Sequence, residues 1–170
     1  MQLHRTLQPI AALVLALVSA TAAWAAAGEG RPSPLRLETL DGKPLATSMA
    51  VGPTIVAFRR ADCGPCLIEL RDARAYAAAA RPGRLLFVGL QDLAALKLAA
   101  TKAAAPPELV AHGVGEPAMI LTAFGATPPR LPLAVALDRS GRICDRHMGL
   151  LGTDRVRAWA QGCEGPHARR

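Results

Sequence analysis

Thr54-Ile-Val-Ala-Phe-Arg-Arg-Ala-Asp-Cys-Gly-Pro-Cys-Leu67 is the stretch on which the fold turns. Residues 54–58 are a continuous apolar run, β-branched at its start and preceded by Gly52-Pro53, as in a strand covered on both faces. Residues 67–80 contain no Gly or Pro and predict a helix, ended by Pro82-Gly83. Between strand and helix lies Cys63-Gly64-Pro65-Cys66. A C-x-x-C in that position puts its first cysteine at a helix N-terminus, where free N–H groups carry partial positive charge and stabilise a thiolate. Cys63 is therefore the candidate nucleophile. Cys66, about one turn on and within disulfide reach, is the candidate resolving thiol. Gly64 and Pro65 shape the loop and tune its redox poise. Arg59 and Arg60 are expected to lower the Cys63 pKa and Asp62 to raise it. The competing use of such a pair is half a zinc site, which needs a second ligand pair at matching spacing. Cys144 and Cys163 stand 19 apart, and His112, His147 and His167 are scattered, so no such pair is present.

Outward from this core, the pattern reads as one α/β domain over residues 35–163. Residues 35–40 alternate as a short strand before the Asp41-Gly42 turn, and residues 85–90 form a second buried strand. Residues 93–105 predict a helix stopped by Pro106-Pro107, and residues 117–124 a further one ending at Gly125. Residues 127–132 (Thr-Pro-Pro-Arg-Leu-Pro) fit neither helix nor central strand. Residues 133–137 and 142–148 read as a hairpin around the turn 138–141, before a last helix near 155–161 capped by Thr153 or Asp154. A helix between the first two core strands calls for parallel pairing, and the terminal hairpin makes the sheet mixed.

The 170 residues are 51% hydrophobic, which excludes global disorder. Twenty Lys and Arg against 13 Asp and Glu give +7, but the basic residues are scattered and aromatics are only 4%. Neither a nucleic-acid stacking platform nor a basic binding tract is indicated. Residues 1–27 have the layout of a secretory signal peptide: His4 and Arg5, an apolar segment 10–18, then Ala-x-Ala sites at 23–27. An uncleaved membrane anchor is the alternative, and either places the domain outside the cytoplasm, as in a periplasm. Residues 28–34 read as a flexible lead-in and 164–170 as a tail. Four cysteines in an exported chain point to disulfides.

Cys63-Gly-Pro-Cys66 after a buried strand resembles the thioredoxin superfamily. The flanks resemble its exported TlpA/ResA-like branch. Leu37-Glu-Thr-Leu-Asp-Gly-Lys-Pro44 is similar to the branch's F-x-L-x-D-L-D-G-K-P opening. The segment from Leu131-Pro132 to Gly141-Arg142 is similar to its G-L-P-T-T-F-L-I-D-R-D-G-R. The resemblance implies a three-layer fold with a central mixed sheet flanked by helices, closed by a hairpin and a helix. It implies that Pro132 is a cis-proline facing the dithiol, exposing the Leu131 backbone to a substrate strand. It also implies that Glu69, three residues after Cys66, assists proton transfer; the alternative is a solvated glutamate on the helix face. Two departures stand out. Arg59 and Asp62 occupy positions that usually carry Trp, which makes the expected substrate face more charged. Ala57 stands where thioredoxin has a buried Asp.

Cys144, on the returning strand, and Cys163, after the last helix, read as a structural disulfide. Closing a loop of about 20 residues contributes ~3 kcal/mol in the chain-entropy model. A second electron-relay pair is the alternative. The whole predicts an exported thiol–disulfide oxidoreductase that acts on protein disulfides or thiols and needs no bound cofactor or metal. By resemblance it works as a reductant, in cytochrome c or copper-site assembly, recharged by a membrane electron-donor protein. The rivals are a disulfide-forming oxidase or isomerase and a non-catalytic copper- or thiol-binding module.

Overall fold

A computed structural model describes residues 35–45 and 53–163; the expected leader, lead-in and tail lie outside them. The sheet is built around β2 (Thr54–Arg59), every residue of which is buried. On one side β2 pairs in parallel with β3 (Arg84–Gly89), reached through helices α1 (Gly64–Arg71) and α2 (Ala73–Ala79). On the other it pairs antiparallel with β5 (Leu133–Leu137), which runs into β6 (Ile143–Met148) through the hairpin. Helix α3 (Leu93–Lys102) follows β3, α4 (Pro117–Ala123) precedes β5, and α5 (Thr153–Gly162) follows β6.

The six-stranded order is β1-β4-β3-β2-β5-β6, with β1 at Leu37–Glu38 and β4 at Val110–Gly113. Strand β4 is absent from the sequence reading. Its four residues lie between Pro107 and Pro117 and carry no period, so only pairing with β3 and β1 makes them a strand. His112 on β4 stands opposite Glu38 on β1, with Nδ1 3.3 Å from the carboxylate.

Period-2 alternation along the strands divides the core into two layers. Ile55, Ala57, Leu85, Phe87, Ala134 and Ala136 face α1, α2, α3 and α5. Val56, Phe58, Leu86, Val88, Leu133 and Val135 face α4, through Leu121 and Phe124. The architecture is a three-layer α/β fold with a mixed sheet.

Three of the expected helices differ in their boundaries. The helix expected at 67–80 starts at Gly64, because Cys63 caps it and Pro65 has the φ of a first turn. It also breaks at Asp72, whose N–H is shared between the Glu69 and Leu70 carbonyls. No Gly or Pro marks that break. Helix α3 ends at Lys102, since Ala104 turns to φ +49° before the two prolines. Helix α5 begins at Thr153 after Gly152, so neither Thr153 nor Asp154 caps it by a side-chain bond. Asp154 pairs instead with Arg157, 2.7 Å away on the exposed face.

Two devices hold the C-terminal part. Cys144 and Cys163 are disulfide-bonded, with Cα atoms 5.9 Å apart, joining β6 to the end of α5. Trp159 Nε1 donates to Asp145 Oδ2 at 2.7 Å across the same junction. In the hairpin turn, Asp138 Oδ1 accepts from Ser140 N (2.8 Å), Ser140 Oγ (2.7 Å) and Arg142 N (3.0 Å). Burial pushes the Asp138 carboxyl up, but these hydrogen bonds and the Arg142 charge outweigh it and hold its pKa below the ordinary value.

A carboxylate held down in the folded state stabilises above its unfolded pKa of about 3.9, and that contribution is lost as pH falls through the folded value. Asp138→Ala is expected to cost about 1–3 kcal/mol at pH 7. In urea titrations across pH, the gap from the parent protein narrows below about pH 3.9. A gap unchanged from pH 7 to pH 2 contradicts this account of the turn.

Candidate active site

The site lies at the C-terminal end of β2. Cys63 takes extended backbone angles as the N-cap of α1, and its Sγ accepts from the Cys66 N–H at 3.3 Å. Cys63 and Cys66 form a disulfide with Cα atoms 5.2 Å apart. Cys63 is half-buried, Gly64 and Pro65 are exposed, and Cys66 is 1% exposed. The outer sulfur is the accessible one, and the inner sulfur is reached only through it.

The Leu131–Pro132 peptide is cis, as are Thr127–Pro128 and Arg81–Pro82. Phe58 is registered with Leu133, so Pro132 lies beside the end of β2 from which the Cys63 loop departs. The Pro132 carbonyl accepts from Gly149 N at 2.9 Å, which ties this segment to the turn after β6. Leu131 is half-buried beside it.

Glu69 is not on a solvated face. It is 1% exposed, one turn after Cys66 on the buried side of α1. Its Oε1 accepts from the Leu151 N–H and, at 3.3 Å, from the Tyr76 hydroxyl. Its Oε2 pairs with the guanidinium of Arg59, and both side chains are almost fully buried. Burial, and next the Glu69 charge, raise the Tyr76 pKa above its ordinary value. Burial pushes Arg59 down from its ordinary value, against the pull of Glu69.

Arg59 does not lie on the surface. It is the last residue of β2 and follows Ile55 and Ala57 on the face covered by α1 and α2. Its charge points into the protein, not toward solvent at Cys63. Nη1 donates to the Phe58 carbonyl at 2.7 Å and the Leu133 carbonyl at 3.2 Å, and the guanidinium lies 5.6 Å from the Phe87 ring centre. Arg60 and Asp62 largely cancel one another as an exposed two-pronged pair, both contacts 3.0 Å. The surface around Cys63 is less charged than its sequence suggests. Arg59, Tyr76 and the Leu151 amide were missed as partners of Glu69. The available signal was strand alternation carried one residue further, to Arg59.

Among the described residues, no three His, Cys, Asp or Glu side chains are grouped to hold a metal ion. No helix among them is long and apolar enough to cross a membrane.

No protein-family model matches the chain, and no curated protein matches it. Solved structures do. A thioredoxin-related protein from Neisseria meningitidis serogroup B is 19% identical, with a TM-score of 0.61 over 74% of this chain and 96% of its own. A thiol:disulfide interchange protein of the thioredoxin family from Chlorobium tepidum is 20% identical, with a TM-score of 0.59 over 82% and 100%. DsbF from MTB, solved in mixed oxidised and reduced forms, is 22% identical, with a TM-score of 0.56 over 75% and 92%. The fold of this chain is thioredoxin-like.

Removing one member of a buried ion pair leaves the other charge uncompensated, at a cost of about 3–5 kcal/mol. Glu69→Gln keeps the volume and an acceptor but strands the Arg59 charge. It is expected to lower the stability of the oxidised protein by about 3 kcal/mol in chemical denaturation. A loss under about 0.5 kcal/mol, the range of ordinary surface substitutions, contradicts the pairing.

Proposed function

We propose that this chain is an exported thiol–disulfide oxidoreductase working through Cys63 and Cys66. The observation that carries the reading is the disulfide itself. The half-buried Cys63 stands at a helix N-terminus and the buried Cys66 one turn behind, and a cis-prolyl segment begins at the same end of the sheet. A half-exposed sulfur with helix N–H groups behind it is suited to attack, and a buried one to resolve.

In the reducing direction, the Cys63 thiolate attacks one sulfur of a substrate disulfide. That S–S bond breaks, a mixed disulfide forms, and the departing substrate thiolate takes a proton. Cys66 then gives its proton to a base and attacks Cys63 Sγ, restoring the Cys63–Cys66 disulfide and releasing the second substrate thiolate. The substrate gains two electrons and the chain loses two. Glu69, next along the buried face of α1, is the proposed acceptor for the Cys66 proton. The backbone at Leu131, before cis-Pro132, is the proposed rest for an extended substrate segment. No cofactor takes part.

The leader pattern of residues 1–27 supports the proposal of export, with an uncleaved membrane anchor as the alternative. The reducing direction, substrates in cytochrome c or copper-site assembly and a membrane electron donor rest on the resemblance of residues 37–44 and 131–142 to the TlpA/ResA-like branch. The Cys144–Cys163 disulfide is proposed as structural.

Two measurements test this reading. Cys66→Ser, mixed with a protein disulfide, is expected to accumulate a covalent adduct through Cys63 that dithiothreitol releases; Cys63→Ser forms none. Equilibration in thiol buffers is expected to give a reduction potential near about −270 mV, the range of a reductant. A value near about −120 mV makes the chain a disulfide-forming oxidant instead. Failure of the Cys66→Ser variant to trap any partner removes the oxidoreductase reading.

A further inference from the structure

Arg59 reaches several parts of the active-site framework at once. Its guanidinium meets four groups from four segments of chain. They are the Phe58 carbonyl at the end of β2, the Leu133 carbonyl one residue after cis-Pro132, the Glu69 carboxylate on α1 and the Phe87 ring on β3. Glu69 extends the set to Tyr76 on α2 and to the Leu151 amide, two residues beyond the Gly149 N–H that binds the Pro132 carbonyl. The two walls of the proposed substrate cleft are thus joined through one buried side chain. One wall is α1, which carries Cys66; the other is the prolyl segment at the head of β5. Only a planar fork of donors reaches acceptors in these several directions, whereas an ammonium offers a point charge.

We propose that Arg59 is a positioning residue, which sets the separation between the Cys63–Cys66 helix and the cis Leu131–Pro132 segment and so decides how a protein disulfide seats against Cys63. The inference rests on the oxidoreductase reading. It deepens that reading by separating two things the site must do. Attack by Cys63 on a small disulfide depends on the helix end and on access to the sulfur. Attack on a disulfide held in a protein also requires a backbone segment to lie along Leu131. Displacing one wall by about 1 Å can cost on the order of 100-fold in a step that depends on alignment, without touching a reacting atom.

The test compares two substrates, a small aromatic disulfide and insulin, using the full chain with folding checked by circular dichroism. In Arg59→Lys, the charge opposite Glu69 is kept and the fork is lost. The expected result is a small-disulfide rate within about three-fold of the parent and an insulin kcat/KM down by about ten-fold, the loss falling on KM. If Arg59→Lys does not fold, the double variant Arg59→Met, Glu69→Leu removes the ion pair as a unit, a change that often leaves stability intact. There the readout is the ratio of insulin to small-disulfide rates, because loss of proton transfer at Glu69 slows both alike. A fall in that ratio of about ten-fold is expected.

Equal losses on both substrates would mean that Arg59 acts on the thiols and would overturn the proposal, as would a folded variant with an unchanged ratio. If the parent protein reduces neither substrate, the oxidoreductase reading fails first and separately.

Discussion

The ion pair between Arg59 and Glu69 is the constraint around which the site is arranged. Two charges almost wholly removed from water demand partners on every side, since desolvation costs several kcal/mol per ion and attraction repays it only when the remaining polar atoms are also satisfied. The protein meets most of that demand with two backbone carbonyls, a backbone amide, a tyrosine hydroxyl and an aromatic ring, and leaves Arg59 Nε buried without a hydrogen-bond partner among the described residues. Each partner comes from a different part of the chain. Satisfying one buried pair therefore fixes the end of β2, the start of β5, the first two helices and the turn after β6 relative to one another. An apolar pair of similar volume could fill the same space but would not specify direction.

That arrangement takes two of the basic residues flanking the cysteines out of play as free charges. Arg59 is turned inward, and Arg60 is held by Asp62. Gly64 and Pro65 in the Cys63 loop are exposed and Leu131 is half-buried, with the exposed Arg130 next to it. The sheet topology does the rest. Helix α1 starts where β2 stops, and β5 begins alongside the same end because it pairs antiparallel with β2. The Cys63 loop and the cis-prolyl segment thus lie at the same end of the sheet although nearly seventy residues separate them. The Cys144–Cys163 disulfide lies away from this junction, tying β6 to α5, whose Val156 and Trp159 are buried against the helical face of the sheet. Covalent closure and core burial act there on the same element.

Much of this architecture was legible in the chain. The apolar runs at 54–58, 85–90 and 133–137 are strands because a covered sheet wants apolar residues on both faces, and each is buried. The C-x-x-C between a strand and a helix former located the candidate site, and the unequal exposure of Cys63 and Cys66 follows from one sulfur capping the helix and the other lying within it. The turn at Asp138 was marked by Asp-x-x-Gly, a pattern whose side chain can replace backbone partners.

Other features have no local signature. Strand β4 exists because two neighbours pair with it, not because Val110-Ala-His-Gly113 prefers to be extended. The break at Asp72 has no Gly or Pro to announce it. Glu69 could be read equally as solvated or as buried, since one carboxylate on a short helix carries no record of what will cover it. Residue type and spacing determined the central strands β2, β3 and β5, the dithiol and its order of exposure, because those depend on neighbours in the chain. The partner of Glu69, the direction in which Arg59 points and the placing of Pro132 at the end of β2 from which the Cys63 loop departs were decided only by tertiary structure, because strand pairing and buried charges join segments that lie far apart in the chain.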